Sequence, residues 1–419
     1  MILLNLAWHS LLNRKTSVLL TLLSISVSVM LLLGVEKVRT EARSSFANTV
    51  SGADLIVGAR SGPVQLLLYS VFRIGDATSN ISWESYQKIS AHSKVAWSIP
   101  ISLGDSHRGF RVMGTSRAYF EHFRYGQRQL LEFQQGQAFD GLYDAVVGAE
   151  VAKKLGYTVG DKIVVAHGLG NTSFAKHDDK PFRVVGILDP TGTPVDRTVH
   201  VSLEAIEAIH VDWKVGTRLP GQTVSAEEAA QMDLMPKQIT AFILGLKSPM
   251  ATFHLQRSIN NYRKEPLLAI LPGVALQQLW DLMSVAEKAL VAISILVVFT
   301  GLIGMLTVLL TSLNERRREM AILRSVGARP AHILALLILE TTALTLLGAI
   351  LGALLLYAGL AAFKPWLSSA FGLYITLGPP SPYQWQLLGM VMIAGIMVGL
   401  IPGYRAYRYS LADGLSVRI

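Results

Sequence analysis

With 419 residues, 51% of them hydrophobic and only 16% charged, the chain is too apolar for an ordinary soluble protein of its length. Its net charge of +9 does not point to nucleic acid, because the basic residues gather beside long apolar runs and no aromatic-interleaved basic patch occurs. The absence of cysteine excludes disulfides and thiolate metal sites.

In chain order, Ile2 to Asn13 reads ILLNLAWHSLLN, with Asn5, His9 and Asn13 forming a polar stripe on an apolar helix, the pattern of an interfacial segment. Arg14 and Lys15 follow. Thr16 to Val35 then supplies twenty uncharged residues, enough at about 1.5 Å rise each to cross a hydrocarbon core of about 30 Å. A signal peptide has a shorter apolar region, roughly 7–15 residues, and no small-x-small site is evident near Gly34, so this segment is expected to be retained as the first span.

From Glu36 to about Glu287 no window stays apolar long enough to span. β-type runs alternate there with helical ones: GFRVMGT then SRAYFEHF, DAVVGA then EVAKKLG, AFILGLK then SPMATFHLQRSINN. The pattern predicts an α+β domain outside the membrane, with Gly160 and Asp161 in a tight turn before the strand Lys162 to Ala166. Within it, His167, His177 and His200, with Asp178 and Asp179, gather around HGLGNTSFAKHDDK. Without cysteine, histidine and carboxylate are the only strong transition-metal ligands this chain possesses, so His167, His177, Asp178 and His200 form a candidate divalent-metal set. The alternative is a group of solvated loop histidines, since no HExxH-like spacing fixes them together.

Three further spans are expected at Ala289–Leu313, Ile333–Phe363 and Tyr383–Ile401. Gly348 with Gly352, and Gly395 with Gly399, make GxxxG pairs suited to close helix packing. Trp366, Tyr374, Tyr383 and Trp385 suit the outer interface. Glu340, inside a span, must face protein or water; it serves either a proton relay or an anchoring role near the inner interface.

Between the second and third spans lies NERRREMAILRSVGARP, Asn314 to Pro330. Arg316, Arg317, Arg318, Arg324 and Arg329 place it in the cytoplasm by the positive-inside tendency, and with Arg14, Lys15, Arg405, Arg408 and Arg418 they put both termini there too. Met320, Leu323 and Val326 recur three apart on one face, Gly327 suits a left-handed C-cap, and Pro330 suits the first turn of the next helix. A bare stop-transfer anchor would need none of this.

ERRREMAILRSVGA, followed by an apolar helix carrying LLILE, resembles the permease subunits of the MacB, FtsX and LolC type of ABC transporter. The basic tail YRAYRYSLADGL and the stretch Asp140 to Ile206 resemble that family as well. The resemblance implies a membrane α-helical protein of four transmembrane helices, with a large α+β extracytoplasmic domain inserted between the first and second spans. The divisions are 1–38, 39–285 as a MacB-like periplasmic core, and 286–419 with a coupling helix at 314–329. It implies two subdomains in the core, Glu41–Phe139 with Thr240–Asn261 and Asp140–Met235. It implies that the bridge docks on a cytoplasmic ATPase through Glu315, Arg316, Arg317, Glu319, Met320, Leu323, Arg324, Val326 and Gly327.

No GxxxxGK[ST] occurs, so ATP and magnesium are expected on a separate ATPase dimer, with a second permease copy completing the complex in a bacterial inner membrane. No cofactor is expected in this chain apart from the candidate divalent metal. The expected work is mechanical, on a substrate or partner outside the membrane; an FtsX-like regulator that activates a periplasmic protein without transport is the rival. A membrane-anchored enzyme is disfavoured, because neither GxSxG, HExxH nor a Gly-rich dinucleotide turn is present.

Overall fold

The computed structural model describes residues 15–47, 49, 51–167, 177–214, 217–218, 224–315, 317–371 and 378–408. The chain divides into a helical unit, made from the segments Met1–Glu41, Ser284–Trp366 and Ile375–Ile419, and a sheet unit, Ala42–Met283 with Leu367–Tyr374. The expected interfacial helix at 2–13 and the basic tail after Arg408 lie outside the described residues.

Helices of seven residues or more are α1 (Lys15–Ala47), α2 (Trp83–Ser90), α3 (Ala149–Leu155), α4 (Leu203–His210), α5 (Thr252–Asn260), α6 (Pro272–Glu315), α7 (Arg317–Ser325), α8 (Pro330–Phe371) and α9 (Pro382–Arg408). The strands of the main sheet are β1 (Leu55–Ala59), β2 (Val95–His107), β3 (Phe110–Thr115), β4 (Phe133–Gly136), β5 (Asp144–Val147), β6 (Lys162–Ile163), β7 (Ala166–His167), β8 (Phe182–Leu188), β9 (Thr198–Ser202), β10 (Ala241–Leu246) and β11 (Leu267–Ile270).

These eleven strands run in the order β11, β1, β10, β2, β3, β9, β5, β8, β4, with β7 beside β2 and β6 beside β8. Pairing is parallel between β9 and β3 and between β8 and β5, and antiparallel elsewhere. Strands such as β1, β3 and β9 are buried along their whole length rather than on alternate residues, because both sheet faces are covered. One face packs Ile56, Leu66, Tyr69, Ile99, Tyr119 and Val146. The other carries Leu55, Val57, Tyr86, Phe242 and Leu255 towards one end, and Val112, Val147, Val151, Phe182 and Val199 towards the other. The two segments expected to form separate subdomains thus share one sheet and interleave within it: β4 of the first lies beside β8 of the second, and β7 of the second lies beside β2 of the first. They also join where β9 pairs with β3, from Thr198 opposite Arg111 to Ser202 opposite Thr115. α4 starts where Ser202 accepts a hydrogen bond from the Ala205 amide, and it buries Leu203, Ala205, Ala208 and Ile209.

Among the described residues, the helical unit contains four helices long and apolar enough to cross a membrane. Their helical runs outlast the apolar windows: α1 continues to Ala47 and α6 begins at Pro272, before the expected span at Ala289. The reason is local. EKVRTEA carries good helix formers and the i,i+4 pair Lys37–Glu41 at 2.9 Å, while Pro272 sits at a helix start where it lacks no needed donor.

Packing among the four helices depends on small residues. Ser28 Oγ of α1 donates to the Val297 carbonyl of α6 at 3.2 Å. A Cβ on Gly352 of α8 would fall 2.6 Å from the Ser26 carbonyl oxygen of α1, and one on Gly399 of α9 would fall 2.1 Å from Thr341 Oγ1 of α8. Gly348 meets Ile25 and Gly395 meets Thr345 in the same way. Glu340 is buried, one residue from Thr341. Tyr383 and Trp385 at the start of α9 are exposed, whereas the side chains of Trp366 and Tyr374 lie outside the described residues.

Candidate functional site

The sheet unit assembles four ionisable side chains at one corner. β7 pairs with β2 so that His167 stands opposite Asp105, and His167 Nδ1 lies 3.0 Å from Asp105 Oδ1. Asp105 owes its inward position to an irregularity: the β2–β3 register shifts between Leu103 and Ser106, leaving Asp105, Ser106 and His107 buried in succession. The His177 amide donates to the Val165 carbonyl at 2.9 Å, which brings that ring beside the corner. Its Nε2 is 3.2 Å from His167 Nε2. His210, the last residue of α4, donates from Nδ1 to the Ile206 carbonyl at 2.6 Å, turning Nε2 towards Asp105 at 3.6 Å and His167 Nδ1 at 3.4 Å. One ligand atom from each of Asp105, His167, His177 and His210 lies within 4.8 Å of all the others.

Burial pushes the His177 imidazole down to about 4, and the neighbouring His210 and His167 push the same way, so it is neutral near pH 7. Burial alone would raise the Asp105 carboxyl, but hydrogen bonds from His167 and His210 outweigh it and hold the group below the usual carboxylate range. For His210 burial acts downwards, and the Asp105 hydrogen bond more than compensates, leaving it raised. Close by, Lys180 Nζ donates to Asp212 Oδ1 at 2.9 Å with both side chains fully buried. That pair ties the segment after His177 to the residues just past His210.

Of the four candidate metal residues, the fold therefore unites His167 with His177 and separates the other two. Asp178 is exposed. His200 sits in the β9 core against Tyr119 and Phe120, with Nδ1 on the Val146 carbonyl at 3.3 Å, because strand alternation turns it to the covered sheet face that packs Tyr119, away from the histidine corner. Asp105 and His210 replace them. The readable signal was the GDSH stretch and a histidine ending an amphipathic helix; their meeting depends on a strand register that local spacing does not encode.

The bridge is the second constellation. α7 ends in a Schellman arrangement: the Gly327 amide donates to the Arg324 carbonyl at 3.0 Å and the Ala328 amide to the Leu323 carbonyl at 3.0 Å, with Gly327 at φ +102°. α8 restarts at Pro330. Met320 is turned into the helical unit, packing with Leu313, Ile333, Leu337 and Ala406, so it is corrected from a docking residue to a core residue. Leu323 and Arg324 are half-buried, while Glu319, Ile322, Ser325, Val326 and Gly327 form the exposed side; Val326 is 84% exposed. The side chains of Glu315 and Arg317, and all of Arg316, lie outside the described residues.

The MacB-like periplasmic core domain model matches residues 18–242, and the FtsX-like permease C-terminal model matches residues 291–411. The chain belongs to the MacB/FtsX-type ABC transporter permeases. This permease is 26% identical over 302 residues to the uncharacterized ABC transporter permease MJ1507 of Methanocaldococcus jannaschii, covering 65% of this chain and 69% of the relative. It is 24% identical over 234 residues to the macrolide export ATP-binding/permease protein MacB of Azoarcus sp., covering 54% of this chain but only 30% of that relative. Among solved structures, the periplasmic region of MacB from Actinobacillus actinomycetemcomitans matches with a TM-score of 0.35 and 11% identity, over 56% of this chain and 95% of that one. In this permease α7 falls inside the FtsX-like match, and Asp105, His167, His177 and His210 fall inside the MacB-like match.

Proposed function

We propose that this permease transmits the work of a separate cytoplasmic ATPase to residues 42–283, which face the outside of an inner membrane. The observation that carries the reading is α7, a short helix with a closed C-terminal end at Gly327, whose Met320 face is fixed in the helical unit and whose Ile322 and Val326 face is open. An apolar residue exposed among arginines between two spanning helices is what a docking partner would cover. Fixed on one side, α7 cannot shift without moving Leu313 of α6 and Ile333 of α8, so a push delivered there passes into the spans.

ATP and magnesium belong to the partner in this scheme. Two copies of the chain would meet two ATPase subunits, and substrate or partner protein would be engaged on the outer side. The test is coexpression with the cognate ATPase and measurement of copurification and of hydrolysis in proteoliposomes. Val326→Asp and Ile322→Asp should each reduce ATPase capture at least about tenfold, equivalent to about 1.4 kcal/mol, while Met250→Asp on the sheet unit leaves it unchanged. Normal capture and hydrolysis in both α7 variants would overturn the assignment.

A further inference from the structure

We propose that Asp105, His167, His177 and His210 hold one divalent transition-metal ion of the zinc class in the sheet unit. The donor chemistry selects the ion. Three imidazoles and one carboxylate suit zinc and its borderline neighbours, whereas calcium and magnesium require oxygen shells. The inference stands apart from the transport reading, since it concerns only what residues 105–210 bind.

Geometry supports it in three ways. Metal–nitrogen bonds of about 2.0–2.1 Å in a tetrahedron put ligand atoms about 3.3 Å apart. Between His177 Nε2 and His167 Nε2 the spacing is 3.2 Å, and between His210 Nε2 and Asp105 Oδ1 it is 3.6 Å. Side-chain rotation within the 4.8 Å envelope completes the set. Second, the donors are preset by backbone: Asp105 and His167 by strand pairing, His177 by its amide on Val165, and His210 by its Nδ1 bond to Ile206, which leaves Nε2 as the metal-facing nitrogen. Third, the buried Lys180–Asp212 pair sits just outside and joins the segments bearing His177 and His210, the kind of outer support on which metal sites depend.

The bland alternative is a set of ordinary core histidines. This protein shows what those look like. His107 uses both ring nitrogens, donating to the Val164 carbonyl at 2.6 Å and bonding Tyr157 Oη at 2.8 Å, and His200 packs alone among aromatic rings. The corner instead gathers three imidazoles, edge-on or tilted to one another with ring centroids 4.6–5.2 Å apart, around one carboxylate. With four protein ligands no coordination position is left for water or substrate, so the ion acts as a structural clip. It fastens the β2–β7 corner to the end of α4.

The test uses the full chain, purified in detergent without a polyhistidine tag, stripped by chelator and titrated with zinc. One equivalent should bind. His177→Ala and His210→Ala should each weaken binding beyond the roughly 10–100-fold that loss of an outer-shell partner costs, while His254→Ala should not change it. Should the variants misfold, cobalt substitution of the unaltered chain still decides, because a four-coordinate site gives intense visible absorption and a six-coordinate one does not. No stoichiometric zinc, unchanged affinity in both histidine variants, or a six-coordinate cobalt spectrum would each overturn the proposal.

Discussion

His200 and His210 are ten residues apart, and their environments give them opposite chemistry. His200 is fully buried, with burial first and the Arg73 charge second pushing its imidazole down to about 3. Its unfolded counterpart titrates near 6.5. Above that pH both states are neutral and the ring adds no pH dependence; as pH falls from about 6.5 towards 3, only the unfolded chain gains the proton, so stability drops by up to about 1.4 kcal/mol per pH unit. His200→Phe, set among Tyr119 and Phe120, should flatten that decline between pH 6 and 4, read as the shift in thermal midpoint by tryptophan fluorescence. An unchanged acid slope would show the ring to be solvated. Residue type alone marked His167 and His177 as ligand candidates, but could not separate His200 from His210. Each directly follows a β-branched apolar residue, Val199 or Ile209, and only the β9–β5 pairing and the end of α4 decide which ring turns inward.

Elements were more legible where one physical signal sufficed. Long apolar runs located all four spanning helices, and Gly327 and Pro330 bounded the bridge, because caps are set by local backbone chemistry. The inward turn of Met320 was not legible, since a three-residue period names a face without saying whether α8 or a partner covers it. Replacing Gly327 by Val puts a β-branched residue at φ +102° and should destabilise the end of α7 by at least about 1 kcal/mol, seen as faster protease cleavage near residue 327. The glycine contacts give a sharper comparison. Gly352→Leu must displace the α1 backbone and should cost about 1–3 kcal/mol, whereas Gly304→Leu, with nothing within 4 Å of its Cβ, should be tolerated. Thermal unfolding in detergent that ranks the two alike would remove the close-packing account.

At the scale of the molecule, the long-range joins were the least visible in sequence: β1 of the sheet pairs with β10 and β11, strands that follow about two hundred residues later. Orientation, by contrast, rests on charge that sequence displays directly. Arg14 and Lys15, the bridge arginines, and Arg405 and Arg408 flank the same ends of the spans, against Lys364 at the other. If those ends face the cytoplasm, α7 is inside and the sheet unit outside. The absence of native cysteine makes the test direct. Met250 is 92% exposed in the sheet unit and Val326 is 84% exposed on α7, so a cysteine at either site reaches solvent without disturbing a core. In intact spheroplasts a membrane-impermeant maleimide should label Met250→Cys and spare Val326→Cys, and lysis should make the second reactive. The reverse order of labelling would place α7 outside, and with it remove any route from a cytoplasmic ATPase to the helices that α7 joins.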